Sequence, residues 1–133
     1  MDKILVDADV LVALAKEDDD NHSKAIKTAS RLKKATLYVT PFTIPEAATV
    51  LSYHVSQKAA SFFLKEVRQK NLIELTLSSH AIQLADQIFL NQTKKRTSWI
   101  DCLNVAMVKI HHFKGIFSFD KFYQKFGINC CVK

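Results

Sequence analysis

Apolar residues recur along this chain in two rhythms. Short, mostly apolar runs occur at Lys3–Val6, Thr36–Val39 and residues 73–75, 116–119 and 129–132. Apolar runs of this length predict buried strands. Between them apolar positions fall three and four apart. Ala25, Ile26, Ala29 and Leu32 do so within residues 22–34, Ala60, Phe63, Leu64 and Val67 within 59–71, and Ala81, Leu84, Ala85 and Ile88 within 79–91. That spacing predicts helices. Further helices are predicted over residues 10–16, 43–55 and 98–112, the last stopped by Gly115, with a short turn or helix over 121–126. Strands alternating with helices imply an α/β chain with a parallel sheet covered on both faces. Right-handed crossovers follow, and ligands bind beyond the carboxyl ends of such strands.

Two carboxylates interrupt the most apolar stretch, ILVDADVLVAL at residues 4–14. A carboxylate in apolar surroundings is costly unless it is paired, hydrogen-bonded or bound to a cation. Asp7 directly follows the first predicted strand and Asp120 the fourth. Glu46, in TIPEAATVL, and Asp101, in SWIDCLNVAMV, fall in the first turns of their predicted helices. Strand ends and the helix starts that follow them share one edge of such a sheet, so four segments can deliver four acids to one place. Taken singly, each has a structural reading. Thr43 with Glu46 and Ser98 with Asp101 resemble capping boxes, Asp7 can cap the first helix and Asp120 can form an Asx turn. Taken together, converging carboxylates raise one another's pKa. They stay ionised with a cation between them, and hard oxygen ligands suit Mg²⁺ or Mn²⁺. A site of that kind can activate water and steady an in-line displacement at phosphorus.

Composition narrows the surroundings. A chain of 133 residues, 48% apolar and 24% charged, suits one soluble domain. The formal charge is +6, so acids gathered in apolar runs stand against a basic exterior. A basic exterior fits a polyanion such as nucleic acid, and equally fits solubilising lysines. Lys94, Lys95 and Arg96 precede the Asp101 helix and Lys121 follows Asp120, within reach of phosphates near the acids. Trp99 and Phe122 fit either stacking on bases or core packing. Three cysteines, two of them adjacent, do not make a disulfide framework, and the expected compartment is the cytoplasm. Neither a signal peptide nor a membrane span is expected. The five histidines show no zinc spacing, and no glycine-rich phosphate loop or nucleophile elbow is present.

In their order and spacing, ILVDADVLVAL, DDDNHSKA, TPFTIPEAATVL, SWIDCLNVAMV and FSFDKFYQKFGI resemble the PIN-domain family, the fold of VapC-type toxin ribonucleases. The resemblance spans nearly the whole chain. It implies one PIN-like nuclease domain over residues 1–133, a three-layer α/β/α fold with a parallel sheet of about five strands, and Mg²⁺- or Mn²⁺-dependent cleavage of RNA. Asp7, Glu46, Asp101 and Asp120 carry over as the acidic quartet. Asp7, Asp101 and Asp120 would hold the metal. Glu46 would hold its water or a second metal and help deprotonate the attacking water. Ser118 matches a hydroxyl residue that orients water or a carboxylate. The toxin analogy implies a small antitoxin partner and a homodimer. Asp9 departs from the family pattern, which has Asn there; it is either a further ligand or a cap of the first helix.

Two other readings stay open on the sequence. Asp7-Ala8-Asp9 resembles the opening of haloacid-dehalogenase-type phosphatases, with Asp7 as nucleophile and Asp9 as general acid, which leaves Glu46 and Asp101 without roles. A non-catalytic RNA-binding domain would use the acids as caps and the basic face for binding.

Overall fold

The computed structural model describes residues 1–132. Four strands pair in parallel in the order β3-β2-β1-β4. They are β1 (Lys3–Val6), β2 (Thr36–Val39), β3 (Leu72–Glu74) and β4 (Gly115–Phe117). Six helices connect or flank them: α1 (Ala8–Ala15), α2 (His22–Arg31), α3 (Thr43–His54), α4 (Gln57–Val67), α5 (Ser79–Leu90) and α6 (Trp99–His111). A short 3-10 helix, Lys121–Phe126, follows β4.

Side chains on a strand alternate between faces, and the two faces of this sheet carry two separate apolar cores. Ile4, Val6, Val39 and Phe117 pack on one side with Val10, Leu11, Ile44, Leu51 and Phe63 from α1, α3 and α4. Leu5 and Ile116 pack on the other with Ala81 and Ala85 of α5, Leu103 and Met107 of α6, and Tyr123. The chain is therefore a three-layer α/β/α structure. β1 is central, hydrogen-bonded to β2 on one side and β4 on the other. Its carboxyl end, where Asp7 follows Val6, lies in the middle of the sheet edge.

The helices begin where local chemistry satisfies their free N–H groups. Ser56, Ser78 and Ser98 each accept from backbone amides at the starts of α4, α5 and α6. At α3 the N-cap is Phe42 and makes no side-chain cap bond, while the Thr43 hydroxyl accepts from Thr40 N.

Two expectations are corrected. The run at 129–132 is not a fifth strand. It makes a single parallel bridge, Cys130 to Ile116, through Ile116 N to Asn129 O at 2.9 Å and Cys131 N to Ile116 O at 2.9 Å. Nor does Gly115 stop α6. His112 ends it in the left-handed conformation, φ 55°, and Gly115 lies within β4. The glycine serves the bridge instead, because a Cβ there would sit 2.5 Å from Asn129 O. Gly115→Ala must push the C-terminal segment off the sheet edge. A loss of roughly 1–3 kcal/mol is expected, typical of overpacking, read as a lowered urea midpoint at unchanged slope. An unchanged midpoint would show that the segment contributes nothing to the fold.

Candidate active site

Asp7 leaves β1 in extended conformation and caps α1, accepting from Ala8 N at 2.8 Å on Oδ1. It is only 5% exposed. Three side chains from distant segments complete its shell. Asn104 Nδ2 of α6 donates to Oδ1 at 3.3 Å, and Ser118 Oγ donates to Oδ2 at 2.9 Å. The Tyr123 hydroxyl reaches Oδ2 at 2.8 Å. Burial raises the pKa of Asp7; the bonds from Tyr123, Ser118 and Ala8 oppose that rise and the charge of Asp120 adds to it.

Asp101 stands in the first turn of α6. Ser98 caps that helix, accepting from Ile100 N and Asp101 N, but the Asp101 carboxylate does not complete a capping box. It turns instead to the Tyr123 hydroxyl, 3.0 Å from Oδ1. Burial above all, then Asp7, with smaller contributions from Asp120 and Glu46, pushes its pKa up to about 7 against the lowering effect of that hydrogen bond. Glu46, in the first turn of α3, is half-buried, and its pKa is raised by burial and then by Asp7. No capping box forms there either, since Phe42 rather than Thr43 occupies the cap position. Asp120 is exposed and caps the 3-10 helix through Phe122 N at 2.9 Å, so its Asx reading holds while its charge still acts on Asp7 and Asp101. The four acids stand at helix caps or in first helical turns of the elements described, near enough for their charges to act on one another.

Asp9 does not cap α1, whose cap is Asp7. Its Oδ2 accepts from Phe119 N at 2.9 Å and from Ser118 Oγ at 3.2 Å, tying the first turn of α1 to the loop that carries Asp120. Its Oδ1 is buried without a hydrogen-bond partner among the described residues. Burial and then the charge of Asp7 push its pKa up to about 7. Glu46 and Asp9 line one pocket of about 270 Å³ together with Phe119 and Asp19.

Lys94, Lys95, Arg96 and Lys121 are exposed. Trp99 is occupied structurally, donating from Nε1 to Asp86 at 2.8 Å and meeting Phe42 edge-on. Phe122 packs on Tyr123 and Phe126 under the Lys125 ammonium. The three cysteines are free thiols. Sequence reasoning missed Asn104 and Tyr123, which touch Asp7 directly. The available signal was an amide inside the apolar run of α6, three residues beyond Asp101.

The donor set fits a hard divalent cation. It offers carboxylate oxygens, raised by burial and by one another, with an unpartnered buried oxygen on Asp9. Among the described residues no three His, Cys, Asp or Glu side chains stand as a ready ligand set for one ion. The Tyr123 and Ser118 hydroxyls lie between the acids. The phosphatase reading leaves without roles Glu46 and Asp101, on whose carboxylates the charge of Asp7 acts.

Comparison with known proteins bears on the same arrangement. None of the curated proteins matches the sequence. Among solved structures, the Mycobacterium tuberculosis VapC20, described as a toxin that cleaves the sarcin–ricin loop, superposes with a TM-score of 0.84 at 16% identity. The match covers 95% of this chain and 96% of that one. At that identity the likeness concerns the fold. The PIN domain family model matches residues 4–128, from the first strand through the turn after Asp120. This chain belongs to the PIN domain family.

Proposed function

We propose that this chain is a divalent-metal-dependent endoribonuclease, the toxin of a toxin–antitoxin pair, hydrolysing RNA at Asp7, Glu46, Asp101 and Asp120. The observation that carries the reading is the convergence of Asp7 and Asp101, 94 positions apart, on the single hydroxyl of Tyr123. Asp120 lies close enough for its charge to act on both, and Glu46 close enough to act on Asp101. Family membership and the toxin likeness support RNA as substrate.

In this reading Asp7, Asp101 and Asp120 hold Mg²⁺ or Mn²⁺. A bound divalent cation supplies activation of water and stabilises charge developing at phosphorus. Glu46, half-buried beside the pocket it shares with Asp9, positions the attacking water and accepts its proton. Ser118 fixes the rotamer of Asp7, and Asp9 holds the Phe119–Asp120 backbone in place. Lys94, Lys95, Arg96 and Lys121 take up phosphates of the RNA.

The toxin reading also brings a small antitoxin protein and a second copy of the chain as partners. Apolar surface supports such contacts. Phe63 is core, but Phe62 and Phe89 are exposed, and a groove of about 820 Å³ runs past Leu11, Leu14, Ile26 and Phe62. No helix among the described residues is long and apolar enough to cross a membrane.

Total RNA incubated with the protein and Mg²⁺ or Mn²⁺ is expected to be cut, and Asp7→Asn and Asp101→Asn to lose at least about a hundredfold in rate. Equal cleavage by wild type and both variants would sink the quartet. Chelation by EDTA is expected to abolish cleavage and Mn²⁺ to restore it. Metal-independent binding of RNA, unchanged in Asp101→Asn, would favour the non-catalytic domain instead.

The raised acids set a pH dependence. Asp9 and Asp101 have folded pKa values of about 7 against an ordinary 3.8, so between those values the folded chain keeps protons that the unfolded chain has released. Their contribution to stability therefore falls as pH rises through this window and levels off above it. In EDTA the thermal midpoint is expected to be higher near about pH 5.5 than near about pH 7.5, and Asp101→Asn to narrow the difference. A gap equally wide in the variant would mean that Asp101 is not held among like charges.

A further inference from the structure

We propose that Tyr123 is the positioning residue of the acidic site. Its hydroxyl, oriented by Asn104, holds the Asp7 and Asp101 carboxylates together through one shared hydrogen. That hydrogen serves the same two carboxylates a cation would bind, so cation binding competes with it while the ring stays in place. The proposal rests on the metal-site reading given above.

Hydrogen counting carries it. The Tyr123 oxygen has three neighbours: Asp7 Oδ2 at 2.8 Å, Asp101 Oδ1 at 3.0 Å and Asn104 Nδ2 at 3.0 Å. Asn104 Nδ2 has two hydrogens and two acceptors, Tyr123 O and Asp7 Oδ1. Turning the amide over would place its carbonyl oxygen against Asp7 Oδ1, so the NH₂ must face this way. With Asn104 donating to it, the phenol directs its one hydrogen at the two carboxylates, and it can satisfy only one at a time. Ser118 repeats the arrangement on the other side, with one hydrogen between Asp7 Oδ2 and Asp9 Oδ2.

The cost of building this is visible. Asn104 Oδ1 is buried and has no partner among the described residues. An unmatched buried carbonyl is unfavourable, and it is tolerated here together with the amide orientation that serves Tyr123. Tyr123 itself is fully buried at the core of the α6 face, so its ring cannot swing away. Burial, together with the charges of Asp7 and Asp101, holds the phenol well above its ordinary pKa, which keeps it a donor.

Asp7 thus meets two donors on each oxygen, and the two on Oδ2 each share their one hydrogen with another carboxylate. A cation gaining Asp7 and Asp101 must compete with the Tyr123 hydrogen. Removing the hydroxyl takes away the one donor the two carboxylates share, Asp7 keeping Ala8 N, Asn104 and Ser118. That penalises the metal-free state and spares the cation-bound one.

The test is Mn²⁺ binding to metal-stripped wild type and Tyr123→Phe, read from loss of the paramagnetic resonance signal of free Mn²⁺. The variant keeps the ring and loses the hydroxyl. It is expected to bind Mn²⁺ about tenfold more tightly, the worth of one charge-assisted hydrogen bond, while its metal-free thermal midpoint falls. Loss of packing alone would lower the midpoint without tightening the ion. Wild-type binding with equal or weaker binding by Tyr123→Phe overturns the proposal and leaves the metal site standing. Binding by neither protein overturns both. Should Tyr123→Phe be unfolded without metal, the same titration is followed by circular dichroism. Refolding on Mn²⁺ is then the expected result, and a chain that stays unfolded at saturating Mn²⁺ overturns the proposal.

Discussion

A carboxylate buried at the end of the central strand obliges the rest of the molecule to come to it. Asp7 is almost wholly removed from water, and an ion in that position must be met by donors. Those donors come from the first turn of α1, the middle of α6, the loop after β4 and the 3-10 helix. α1 packs on one face of the sheet and α6 on the other. One side chain therefore joins the two cores across the sheet edge, and its requirement fixes how the last third of the chain must close on the first strand.

The layers of the fold were legible because burial on both faces leaves a plain mark. Lys3–Val6 and Thr36–Val39 are strands with the bounds their apolar runs indicate. Each of the six helices appears where spacing puts it, most starting or ending within a turn of expectation. What failed depends on where distant chain arrives. The sequence NCCV has the character of a strand, yet it meets the sheet only at Ile116, because the 3-10 helix delivers it to the outer side of β4 for a single bridge. Gly115 reads locally as a helix stop. Its actual constraint is the carbonyl of Asn129, fourteen positions on, while His112 takes the left-handed turn that glycine usually supplies.

The acids of the site were legible for a topological reason: strand ends and helix starts of a parallel sheet share an edge. Their supports were not. Asn104 sits in an apolar helix and Tyr123 in an aromatic turn, and periodicity reads both as core. They are core, and they are also the polar contacts of Asp7. Asp9 shows the limit differently. From sequence it was either ligand or cap, because those are the local uses of an acid at a helix start. The cap is Asp7, and Asp9 accepts from the backbone of Phe119, a partner no local pattern reveals.

The chemistry of those supports explains how a basic chain can keep an acidic site open. Three ion pairs form among the described residues, Lys16 with Asp18, Arg68 with Glu74 and Lys114 with Asp2. None involves Asp7, Asp9, Glu46, Asp101 or Asp120. A lysine placed among these acids would cancel their charge permanently and leave nothing to attract a cation. Hydroxyl and amide donors behave otherwise. They orient the carboxylates and lessen the cost of burial, but they add no positive charge. The negative potential survives, graded from buried Asp7 through half-buried Asp101 and Glu46 to exposed Asp120. Neutral donors at the centre and lysines kept to the exterior leave an acidic edge on a chain of net positive charge.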